Sequence, residues 1–173
     1  MKYLNRDTAS VAVEAVFEGM SSRSRFLRFH SPMPRLSASA RKHLTDIDGD
    51  RHIAVAAYCG EAAVGIGRLI GIGGGAAEIS AAVVDSFHRL GVGRELVRRL
   101  ADDACRMRYA EIHASVLPEN TPMIRLIQSE LPGVRASRGA DGTNFTWATT
   151  RGLLLKRTWD EAADKSCCGE MCA

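Results

Sequence analysis

One stretch constrains this chain more than any other. It runs Glu78-Ile-Ser-Ala-Ala-Val-Val-Asp-Ser-Phe-His-Arg-Leu-Gly-Val-Gly-Arg94. Small and apolar residues come first, then a polar turn, then Gly91 and Gly93 opening an amphipathic segment. That order predicts a buried strand, a glycine turn and a helix start, which together make an anion cradle. The first N–H groups of a helix lack intrahelical partners, and the helix dipole favours negative charge there. Glycine lets the backbone approach a bulky diphosphate. The stretch therefore points to a phosphorylated cofactor.

Two common phosphate fingerprints fail. No Gly-x4-Gly-Lys-Ser/Thr run exists. The dinucleotide pattern Gly-x-Gly-x-x-Gly has Leu96 where its third glycine belongs, which excludes the same close helix–strand contact. A second near-match, Gly71, Gly73 and Ala76, leads into an alternating segment and not into a helix. Residues 71–75 therefore read as a hairpin tip, since glycine clusters punctuate strands.

Periodicity organises the rest of the chain. Val13, Val16, Phe17 and Met20 have helical spacing, and a short arginine-rich helix over Arg23–Phe29 stops before Pro32. Another short helix is expected over Ser37–Leu44. Strands are expected at His52–Tyr58, Ala62–Ile70 and Ala76–Val84, forming an antiparallel meander. A helix over 92–108 puts Leu96, Val97, Leu100 and Ala104 on one face and Arg98, Arg99, Asp102, Asp103 and Arg106 on a solvated face. Glu111–Val116 alternates as a strand. Thr121 and Pro122 predict an N-cap followed by proline at the first helical position. Two more strands are expected at 134–137 and 144–149, around a turn at 139–142. The fold class is α+β: a mixed, mostly antiparallel twisted sheet flanked by helices. The strand–helix–strand unit over 76–116 requires a parallel crossover.

A chain of 173 residues matches one domain at about 100–200 residues each. We expect that domain over 1–155 and a polar tail over 156–173. A net charge of +3 does not demand a nucleic-acid partner, though it favours an anionic ligand. No apolar run approaches the roughly 20 residues of a membrane span, and Met1–Ser10 lacks the apolar core of a signal peptide. No membrane partner is expected, and a cytoplasmic location is. Cys59 and Cys105 read as small core hydrophobes. Cys167, Cys168 and Cys172 have no accompanying histidine or Cys-x-x-Cys pair, so no metal is expected. A monomer and a homodimer are both compatible with the sequence.

The segment His88-Arg-Leu-Gly-Val-Gly93 resembles the pyrophosphate loop of the GNAT superfamily of acetyl-CoA-dependent N-acetyltransferases, which carry Gln/Arg-x-x-Gly-x-Gly/Ala between a strand and a helix. Three further segments are similar to the catalytic domain of bacterial protein-lysine acetyltransferases: Met20–His30, Asp50–Val55 and Ala77–Ser80. The chain departs from the pattern at His88, where glutamine or arginine is usual.

The resemblance implies acetyl-CoA as cosubstrate and a primary amine as acceptor, with a protein lysine among the candidates. It implies a cofactor site from Arg89, Leu90, Gly91, Val92, Gly93 and Arg94 at the pyrophosphate and from Ala81, Ala82 and Val83 along the amide-rich arm. Glu78 matches the family's general base. A strand rises about 3.3 Å per residue, so Glu78 lies roughly 10–17 Å from Ala81–Val83, toward the acyl end. A carboxylate there can take the proton of an amine that is otherwise protonated at neutral pH, and partial burial would make it a better base. The Val83 N–H is a candidate oxyanion donor. Asn120 matches an asparagine that contacts the cofactor arm, and equally suits a helix cap. Ile127 stands where the family's thiolate-protonating tyrosine is usual. His113 reads as a satisfied sheet histidine. Three readings stay open: a protein-lysine acetyltransferase, a small-amine acetyltransferase, and an inactive CoA-binding regulatory module.

Overall fold

The computed structural model of the protein describes residues 1–139 and 142–149. The expected tail at 156–173 lies outside the described residues. The chain runs β1 (Lys2–Tyr3), α1 (Arg6–Glu18), α2 (Ser22–Phe29), α3 (Ala38–Thr45), β2 (His52–Cys59), β3 (Ala62–Gly73), β4 (Ala76–Val83), a 3₁₀ turn (Asp85–Phe87), α4 (Val92–Arg106), β5 (Glu111–Val116), α5 (Thr121–Glu130), β6 (Arg135–Gly139) and β7 (Gly142–Ala148). The strands form one sheet ordered β1-β2-β3-β4-β5-β7-β6. Every pairing is antiparallel except β4–β5, the parallel pair demanded by the crossover through α4.

Alternation along the strands divides the core in two. Leu69, Ala77, Ile79, Ile112 and Ala114 pack with Leu100 and Val97 of α4 and Ile127 of α5. Ala54, Ala56 and Ile66 turn the other way, toward Val13 and Val16 of α1 and Leu44 of α3. The first cluster fixes α4, and so the cradle at its N-terminus. Caps fix the helix starts on the second face. The side chains of Asn5, Ser21 and Ser37 accept the N–H of Thr8, Ser24 and Ala40, each cap satisfying a donor that the helix leaves free.

Three local expectations need correction. The N-cap of α5 is Asn120, not Thr121; its Oδ1 accepts the Met123 N–H at 3.4 Å, and Pro122 sits one position inside the helix. Cys59 is exposed, not in the core, because β2 ends there at a turn. Asp103 is buried, not solvated. The Tyr3 hydroxyl donates to it at 2.7 Å, and the Arg106 guanidinium pairs with it, so α4 is tied to the β1 edge strand. That edge strand itself, two residues pairing Tyr3 with Val55, has no sequence signal of its own.

Candidate active site

Strands β4 and β5 run together for three rungs only: Ala76↔Glu111, Ala77↔Ile112 and Glu78↔His113. Beyond Glu78 they part. From Ile79 to Val83, β4 is paired on its β3 side alone. The Val84 N–H donates to the Val64 carbonyl at 2.9 Å. Antiparallel alternation from that bond directs the N–H groups of Ala81 and Val83 away from β3, into the gap, and that of Ala82 toward β3. A wedge with free peptide groups thus opens in the middle of the sheet.

The gap leads to the N-terminus of α4. Gly91 precedes the helix with φ of 86°, and Arg89 has φ of 60°. Both are left-handed, a conformation that glycine adopts freely and arginine adopts at a cost. None of the backbone N–H groups from Arg89 to Arg94 donates to a protein acceptor among the described residues. Arg89, Leu90, Gly91 and Arg94 are exposed. A run of free amides around left-handed residues, at the positive end of a 15-residue helix, is a nest for an anion. These residues fit a diphosphate.

His88 does not face this nest. Its Nε2–H donates to the Val83 carbonyl at 2.9 Å, so the side chain folds back and braces the turn between β4 and α4. Gly93 lies inside the first turn, where an added Cβ would stand 3.3 Å from Leu126. Arg94 and Arg98 both reach Glu130, at 2.8 and 2.6 Å. Burial works against the Glu130 carboxylate, but these arginines and Ser129 hold it below the usual range. The pair of bridges locks α4 to α5 beside the gap.

Glu78 stands at the vertex of the wedge. Its neighbours Ala77 and Ile79 are buried while Glu78 is exposed, so the expected partial burial is not seen. Its face of the sheet holds charged groups that periodicity alone did not single out. Arg28, from α2, donates from Nη2 to the Ser80 hydroxyl at 2.8 Å. Burial lowers the pKa of Arg28, and the charge of Glu78 raises it, so the two side chains feel each other. Arg68 is opposite Ser80 on β3 and is 5% exposed. Its Nη2 donates to the Leu44 carbonyl at 2.8 Å. Burial, aided by the charge of Arg28, brings it down to about 9. Two cations and one carboxylate therefore share this face of β4. The signal for Arg28 was present in its arginine-rich segment, but only the docking of α2 reveals its target.

At the far side of the gap a cleft of about 810 Å3 is lined by His30, Leu117, Pro118, Ile124, Arg138 and Thr143, among others. Asn120, at the head of α5, borders it in sequence and uses its side chain as a cap. Ile127 is wholly buried in the core and carries no polar group, so that position offers no proton donor. Among the described residues no group of three or more His, Cys, Asp or Glu could hold a metal ion. No described helix is long and apolar enough to cross a membrane.

The comparisons with known proteins agree with this geometry. Residues 14–131 match the Acetyltransferase (GNAT) family. The chain belongs to that family. The GNAT domain of PAT from S. lividans is similar at 26% identity with a TM-score of 0.77, over 85% of this chain and 88% of that one. YncA of Salmonella typhimurium, solved with its cofactor acetyl-CoA, has a TM-score of 0.63 at 15% identity, covering 85% of this chain and 91% of its own. AAC(6')-Ib in complex with ribostamycin and coenzyme A gives 0.63 at 16% identity, over 90% and 96%. The last two likenesses are of fold alone. No curated protein matches the chain significantly in sequence.

Proposed function

We propose that this protein moves an acetyl group from acetyl-CoA to a primary amine, by direct attack while both substrates are bound. The acceptor we favour is a protein lysine. One observation carries the reading: the gap between β4 and β5 runs from the Glu78 rung to the free amides at Arg89–Arg94. In this reading Arg89, Leu90, Gly91, Val92, Gly93 and Arg94 hold the pyrophosphate. Ala81 offers its gap-facing peptide groups, and Val83 its N–H, to the amide-rich arm, with Ala82 beside them. Asn120 flanks the arm while capping α5. The Val83 N–H is available to a developing oxyanion. Glu78 takes the proton of the attacking amine, and its exposed position gives that amine access. The likeness to the PAT domain supports a lysine acceptor, and a cytoplasmic location goes with the same reading.

The decisive experiment monitors thiol release from acetyl-CoA with lysine-containing proteins and with small amines, using Glu78→Gln as control. General-base catalysis contributes typically about 10²–10⁴-fold, and the variant should lose turnover in that range while binding acetyl-CoA normally. The loss should shrink as pH rises, because more of the acceptor is already neutral. Near-full turnover by the Gln variant at pH 7 would remove Glu78 from the mechanism. Turnover with small amines alone would replace the lysine acceptor.

A further inference from the structure

We propose that His113 is the second proton-transfer group of this site, working in line with Glu78; the proposal rests on the reading of Glu78 as base. Glu78↔His113 is the last rung before β4 and β5 part. Partners on a parallel rung project to the same face of the sheet. Ile112 and Ala114, on either side of His113, are buried in the α4 core. Ala77 and Ile79, on either side of Glu78, are buried there too. Carboxylate and imidazole therefore stand side by side on the opposite face, at the vertex of the gap.

Simple packing does not account for His113. Its Nε2 is buried and makes no hydrogen bond, although the side chain is 39% exposed. Buried ring nitrogens are ordinarily satisfied. Glu111 Oε2 approaches at 3.5 Å from the same strand, and Arg135 of β6 approaches Glu111 at 3.6 Å. Thr146 is its rung partner on β7. Arg28 adds a positive charge on the Glu78 side. With Ile127 buried, the leaving thiolate has no donor from that position on α5.

The proton path is closed. The amine nitrogen bonds to the acyl carbon, and its proton passes to the Glu78 carboxylate. The C–S bond breaks and its electron pair stays on sulfur. Glu78 hands the proton to the His113 imidazole, which delivers it to the thiolate. One proton has moved from nitrogen to sulfur, nothing is oxidised or reduced, and both residues end as they began.

The test uses the full chain with His113→Ala, His113→Gln, Glu78→Gln and the double variant His113→Ala/Glu78→Gln. Acetyl-CoA affinity is read by calorimetry and turnover by thiol release. His113→Ala should bind acetyl-CoA like the wild type, lose about 10²–10⁴-fold in turnover, and recover part of it when imidazole is added to solution. The double variant should be no slower than the worse single one, because residues acting as a unit are not additive. Full turnover by His113→Ala overturns the proposal. So does restoration by His113→Gln without any imidazole rescue of the Ala variant, which would mark a packing role. Should Glu78→Gln keep full turnover while His113→Ala loses it and responds to imidazole, the Glu78 reading falls and His113 stands as the proton-transfer group. A wild type that acetylates no amine overturns the function itself.

Discussion

Two glycine-rich segments bracket β4, and they do opposite things. At one end, Gly73, Gly74 and Gly75 all have positive φ and only turn the chain from β3 into β4. At the other, Arg89 and Gly91 adopt the same left-handed region, yet they open into the helix α4. The tip feeds the start of a strand, Ala76–Glu78, which is paired on both sides within the sheet. The cradle feeds a helix, whose first amides have nowhere to go. The left-handed backbone conformation is therefore shared by the two ends. The difference in chemistry comes from the element that each segment opens.

Substituting each segment in turn tests that comparison. The largest effect is expected from Gly91→Val. A β-branched residue is a poor fit at φ of 86°, costing roughly 1–3 kcal/mol, and it crowds the surface where a diphosphate would lie. Acetyl-CoA affinity should fall at least about tenfold, or about 1.4 kcal/mol, in calorimetry. Equal binding by the variant would break the comparison at its cradle end. A smaller effect is expected from Gly74→Ala, at φ of 59°. Thermal or chemical unfolding should show a loss of about 1 kcal/mol, with acetyl-CoA affinity unchanged. A loss of affinity there would mean that the tip belongs to the site.

Smallest is a pH effect at the tip end. His52 pairs with Ile70 near the turn and is 7% exposed. Burial lowers its pKa, and the charges of Arg68 and His43 add to this, while the Asp46 backbone and Asp48 oppose it. The unfolded chain then takes up a proton, below a pH of about 6.5, that the folded chain resists. Stability should decline as pH falls through that value, and His52→Gln should flatten the decline. Cofactor affinity, set at the other end of β4, should not respond to the His52 substitution. A pH-independent stability between about pH 7 and 5 would count against a buried neutral His52.

Much of the fold was legible because its signals are local. The period of α4, the alternation of β5 and the glycine turn within 71–75 each depend on a few neighbouring residues, and each element lies within a few residues of its expected place. Errors arose where the deciding contact is distant. Asp103 reads as surface until Tyr3, a hundred residues earlier, donates to it. His88 departs from the family pattern in sequence, and only the structure shows what replaces the usual contact, its ring returning to Val83. Asn120 and Thr121 are both good caps, and only the backbone of the preceding turn selects between them.

The sequence by itself determined that a strand, a glycine turn and an amphipathic helix succeed one another at Glu78–Arg106, and with them a nest of free amides. Strand propensity, glycine at positive φ and a 3.6-residue period act over short stretches, so one sequence suffices to read them. Only the tertiary structure decided that β4 parts from β5 just past Glu78, that His113 stands on that last rung, and that Arg28 and Arg68 share the Glu78 face of β4. Those meetings join segments tens of residues apart, and they depend on register and helix docking. The packing of both core clusters sets them, and no single segment encodes that packing.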